Sequence, residues 1–201
     1  RSSDLYINPT LNKYFQELKN LFPSKADIFN TQHFIPLGSV GKKAVSGDID
    51  LGIDIKHIID FSDVYKSVEQ WNLSAADYED EFILLKKRAR SATDDQLRVK
   101  ALMKLISMYI NDFTNVITCD ETKVGPGNMF SLFPQYTEKG ALTGEGVQID
   151  WMAGDIEWLK FSYYSSAYPE DSNVKGLHRT QLMLSAFQVA GLSFGHVDGV
   201  K

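Results

Sequence analysis

A chain of 201 residues that is 43% hydrophobic and 12% aromatic has the material for one packed domain, which excludes a disordered tail or a low-complexity array. The formal net charge of −5 argues against a surface that attracts nucleic acid everywhere and leaves such a partner only a local basic patch. One cysteine, Cys119, cannot form an internal disulfide, and no run approaches the ~18 apolar residues of a membrane span, so the expectation is a cytoplasmic protein that does not enter a membrane.

In chain order, Pro9 suits an early helical position, and Leu11, Tyr14, Phe15, Leu18 and Phe22 recur at helical steps, predicting a helix over 9–22. The apolar run 33–37 predicts a strand, with His33 at its end. Gly38-Ser39 follows, then a polar loop holding Lys42 and Lys43, and a second strand over 48–55. In that strand Asp48, Asp50 and Asp54 share one parity, while Ile49, Leu51, Ile53 and Ile55 share the other. Side chains alternate across a strand, so the aliphatics can face a core while Asp48 and Asp50 project together from the opposite face. Like charges held side by side repel unless something positive lies between them, and a divalent metal is the simplest such partner for carboxylate oxygens.

Two familiar ion-binding motifs fail here. A phosphate-binding P-loop built on Gly41-Lys42 would find Pro36 in place of its first glycine and Lys43 in place of Ser or Thr. An EF-hand starting at Asp48 would find aliphatic residues between its ligands and Ile59 at the position that needs Glu.

Beyond the Asp strand, Ser62 or Asp63 can start a helix presenting Phe61, Val64, Tyr65, Val68 and Trp71. Residues 75–85 fit helix or strand equally, and the basic cluster 86–90 after them reads as a solvated helix end or as a phosphate contact. Thr93-Asp-Asp-Gln96 is a capping box ahead of a helix to residue 112, in which Met103 and Met108 are core fillers. The expectation for 56–112 as a whole is a helical insertion. The β-branched run 113–119 predicts a strand, with Cys119 a buried thiol rather than a nucleophile. Residues 128–136 and 147–152 predict a hairpin around the loop 137–146, with Pro134 at an edge or a bulge. In its second strand Gln148, Asp150 and Met152 share one parity. The last predicted element is a helix over 175–190, with Leu182, Ala186, Phe187 and Val189 or Ala190 buried and Gly191 as its stop. Lys175 and Arg179 lie one turn apart there and can face one ligand. The start at Arg1 and the end at 198–201 suggest a single domain over 1–201, trimmed from a longer parent at its C-terminus.

Gly38-Ser39, an eight-residue loop and then Asp48-Ile-Asp50 resembles the hallmark of the DNA polymerase beta-like nucleotidyltransferase superfamily. The resemblance implies an α+β fold, a mixed sheet backed by helices on one face, with the active site on the open face and a helical and hairpin elaboration. It also implies a third carboxylate on a later strand, for which Asp150 is the best match and Asp120 and Asp155 the fallbacks. Asp48, Asp50 and Asp150 would then be catalytic and hold Mg2+, with Mn2+ an alternative. Gly38, Ser39, Lys42, Lys175 and Arg179 would bind the nucleotide, ATP by default. The implied acceptor is open among a small molecule, a protein, an RNA end and a second nucleotide. Rival expectations are a degenerate module that only binds nucleotide or a partner, and a pyrophosphoryl transferase making alarmones.

Overall fold

The computed structural model describes residues 4–38, 48–163, 176–195 and 197–201, with the backbone alone for residues 4–5 and 176–179. Among them the fold is α+β. Helix α1 (Asp4–Leu21) leads to a short 3-10 turn, strand β1 (Ile35–Pro36) and strand β2 (Asp48–Asp54). Helices α2 (Val64–Gln70), α3 (Ala75–Arg88) and α4 (Asp94–Phe113) follow, then strands β3 (Thr118–Cys119), β4 (Asn128–Tyr136) and β5 (Leu142–Gly154). Helices α5 (Ile156–Tyr163) and α6 (Gly176–Val189) and a small pair, β6 (Phe194–Gly195) and β7 (Gly199–Val200), complete the order. The main sheet runs β1-β2-β5-β4-β3, with β2 and β5 parallel and the other pairs antiparallel.

One face of that sheet carries the core. Ile49, Leu51 and Ile53 of β2 lie beside Ile149, Trp151 and Ala153 of β5, and Met129 and Phe133 of β4 extend the layer. Against it pack Leu11, Tyr14 and Leu18 of α1, Trp71 at the end of α2, and Leu102 and Ile106 of α4. A buried polar chain ties the layers together. Trp151 Nε1 donates to Tyr14 Oη at 2.9 Å, Tyr14 Oη shares a hydrogen with Ser131 Oγ at 2.8 Å, and Ser131 Oγ donates to the Ile149 carbonyl at 2.8 Å.

Several elements depart from the sequence reading. Helix α1 begins at Asp4, so Pro9 sits inside it rather than near its start. The ambiguous stretch 75–85 is helical. Ser74 caps it and Lys86, Lys87 and Arg88 fall in its last turn, where cations complement the helix dipole and Lys86 pairs with Asp94. The capping box at Thr93 forms, but α4 runs on through Phe113, leaving only Thr118–Cys119 of the strand expected over 113–119. The strand expected over 33–37 likewise shrinks to Ile35–Pro36. Strand β5 is far longer than 147–152, and the hairpin slips register between Pro134 and Tyr136, as a proline in a paired strand requires.

Helix α6 buries none of the expected face. Leu182 is 71% exposed and Val189 is 92% exposed, because the apolar residues are spread around the helix; Phe187 meets the rings of Trp158 and Phe194. Nor are all helices on the core face. Leu159 of α5 packs with Leu37 and Met152 on the other side of the sheet. No helix among the described residues is long and apolar enough to cross a membrane.

Candidate metal centre

The sheet register builds the site. Parallel pairing sets Asp50 opposite Asp150 and Asp48 opposite Gln148, so side chains of one parity on both strands emerge on the face away from the core. There Asp48, Asp50 and Asp150 each offer a carboxylate oxygen, and those atoms all lie within 4.8 Å of one another. Asp150 is the most enclosed, at 7% exposure. Asp155 is not part of the group: its Oδ1 accepts from Trp158 N at 2.7 Å at the start of α5. Asp120 is engaged likewise, accepting from Thr122 N and pairing with Lys123 at 3.2 Å.

Three carboxylates this close strain one another electrostatically. Burial pushes the Asp50 carboxyl up to about 6, and the charges of Asp48 and Asp150 add to it. Asp150 is raised too, by burial first; an amide donation from Gln148 opposes the rise and the charge of Asp48 reinforces it. A cation among these oxygens would relieve the repulsion, and an all-carboxylate set suits a hard divalent ion such as Mg2+ or Mn2+.

Strand β1 brings Gly38 to the opposite edge of the group. Leu37 N donates to the Asp50 carbonyl at 2.8 Å, and the chain then turns through Gly38 with φ of 64°. A Cβ at Gly38 would stand 3.1 Å from Asp50 Oδ2, so backbone and carboxylate approach more closely there than a side chain comfortably allows.

No family model, curated protein or solved structure matches the chain. The site therefore rests on its own geometry. Of the predicted site residues, Asp48, Asp50, Asp150 and Gly38 come together. Ser39, Lys42, Lys43 and Lys175 lie outside the described residues, as does the side chain of Arg179. Trp151 is fully buried on the core face, and Tyr163 is half-buried beside the Leu37 cluster. Burial pushes the Cys119 thiol up to about 12, which leaves no thiolate for nucleophilic chemistry.

The sequence reading missed Gln148 as a site residue. Its Nε2 lies 3.0 and 2.9 Å from the two carboxylate oxygens of Asp150. The signal was its parity, shared with Asp150 two positions on. Beyond it lies a cleft of about 750 Å³, whose walls include Thr118, Asp120, Lys123, Phe130, Leu132 and Gln148 itself.

Proposed function

We propose that the chain is a metal-dependent nucleotidyltransferase, moving a nucleoside monophosphate from a nucleoside triphosphate, ATP by default, to an acceptor with a nucleophilic group. What carries the reading is the convergence of Asp48, Asp50 and Asp150 on two adjacent strands, with Gly38 against Asp50. The motifs in the sequence and the shape of the site thus favour the same chemistry. Divalent ions bound there would neutralise charge on the α-phosphate and stabilise the attacking and leaving oxygens.

The chain's own residues would divide the remaining work. Asp48 and Asp50 hold negative charge at the centre of the site, and Gly38 lets main chain lie close to a phosphate. Asp150 orients the attacking group and can take its proton. A bond forms between the acceptor atom and the α-phosphorus as the bond from that phosphorus to the bridging oxygen breaks, and pyrophosphate leaves. The sequence assigns Ser39, Lys42, Lys175 and Arg179 to the phosphates, the last two by their spacing of one helical turn.

The test is incubation with Mg2+, each labelled nucleoside triphosphate and a panel of acceptors, followed by mass spectrometry of the products. Pyrophosphate release with a nucleotidylated product is expected. Asp48→Asn and Asp50→Asn should each lower it by about a thousandfold or more, equivalent to ~4 kcal/mol of barrier, with the fold intact by circular dichroism. Near wild-type turnover in either variant overturns the assignment. Release of nucleoside monophosphate without free pyrophosphate would point to pyrophosphoryl transfer, and binding without turnover to a binding module.

A further inference from the structure

We propose that Gln148 is a positioning residue that turns Asp150 toward a bound ion and, from the same place, meets the incoming acceptor. The inference rests on the reading of the site just given. Gln148 is exposed, yet its amide folds back along the strand and lies astride both oxygens of Asp150, at 3.0 and 2.9 Å. It stands opposite Asp48 on β2 and opposite Leu132 on β4, between the carboxylate group and the cleft. When an ion draws one oxygen of Asp150, the amide can keep the other, so the carboxylate is held to a single ligating oxygen and cannot swing.

The residue type suits that place. An amide donates without charge, whereas a lysine or arginine would neutralise the carboxylates and compete with the ion. Asparagine, one methylene shorter, would not span the same distance. The amide also carries a carbonyl oxygen, able to accept from an attacking hydroxyl or water.

Strand order supplies a direction. Gly38 and β1 flank Asp50 on one side of the group, while the cleft lies on the Asp150 side, over β4 and β3. Donor phosphates belong on the first side and the acceptor on the second. A molecule entering along Leu132 and Phe130 meets Gln148 beside Asp150.

The decisive variant is Gln148→Leu, which removes the donor from an exposed position. Three measurements are made on it and on the wild type. The first is Mn2+ titration followed by electron paramagnetic resonance. Affinity should fall about tenfold, as for other outer partners of metal ligands. The second is the side-chain amide signal of 15N-glutamine-labelled protein, identified by its absence from the variant. It should shift when Mg2+ is added to the wild type, which a purely structural glutamine would not do. The third is release of nucleoside monophosphate and pyrophosphate at saturating Mn2+ with water as the acceptor. A water oxygen bonds to the α-phosphorus, the bond to the bridging oxygen breaks and the proton passes to solvent. Turnover should stay at least about tenfold below wild type, the loss expected when an attacking group is no longer oriented.

Equal Mn2+ affinities with an unmoved amide signal would overturn the inference while leaving the proposed function standing. Recovery of full turnover at saturating Mn2+ would overturn the acceptor role. Failure of the wild type to bind Mn2+ would overturn the reading of the site and this inference with it.

Discussion

The two faces of β2 and β5 are made by the same backbone and do opposite things. On one, Ile49, Leu51, Ile53, Ile149, Trp151 and Ala153 are almost wholly buried against α1 and α4, and every contact favours the folded state. On the other, Asp48, Asp50 and Asp150 are crowded at mutual cost, and burial raises Asp50 and Asp150 above the ordinary carboxylate range. The comparison shows how a strand pair can hold an unfavourable cluster: the apolar face fixes the register, and the register sets the carboxylates side by side. Strain of this kind persists only where the surroundings over-determine it.

The apolar side gives the largest effect. Trp151→Ala should cost about 3–5 kcal/mol of stability, the usual range for emptying a buried aromatic site. It would also take a hydrogen bond from Tyr14. Urea denaturation measures it, and a loss below ~1 kcal/mol would mean that this face does not set the register.

Gly38→Ala comes next. A residue other than glycine at φ of 64° costs about 1–2 kcal/mol, and its Cβ would press on Asp50 Oδ2. Stability should fall by that amount, and Mn2+ affinity should fall with it because Asp50 is displaced; unchanged affinity would separate Gly38 from the site.

The smallest effect is on pH. A carboxyl raised to about 6 in the folded chain binds its proton more tightly there than in the unfolded chain, where it titrates near 3.8. The metal-free protein should therefore gain stability from this group as pH falls through 6 toward 4, the reverse of a salt-bridged aspartate. Asp150, raised as well, contributes with the same sign. Thermal melts across that window should show a gain that shrinks in Asp50→Asn, and an equal gain in the variant would mean that Asp50 is not strained.

The site was more legible in the sequence than the elements around it. Strict alternation in 48–54 and again in 147–152 exposed both the core face and the carboxylate face, because a period of two leaves no other assignment. Helix α3 was ambiguous because its acidic and apolar residues fit either period, and only its Ser74 cap and the packing of Tyr78 and Leu85 decide it. The run 113–119 misleads because α4, already propagating, takes up Phe113 and stops at Thr114, leaving too few residues for a full strand. For α6, an apolar composition pointed to burial that the fold does not provide. The pairing of β2 with β5 lies beyond local pattern altogether, since it joins strands that are remote in the chain.

That remoteness has a thermodynamic consequence. Asp50 and Asp150 are partners across a parallel pair but roughly 100 residues apart in the chain, so closing the segment between them carries a substantial entropic cost before the site exists. An unfolded chain has no pre-assembled ligand group to offer. Any ion that binds the three carboxylates therefore binds the folded state almost exclusively, and stabilises it by mass action: about 2.7 kcal/mol at a free concentration one hundred times its dissociation constant. Metal supply would then act on the lifetime of the protein as well as on its chemistry, through the same three side chains.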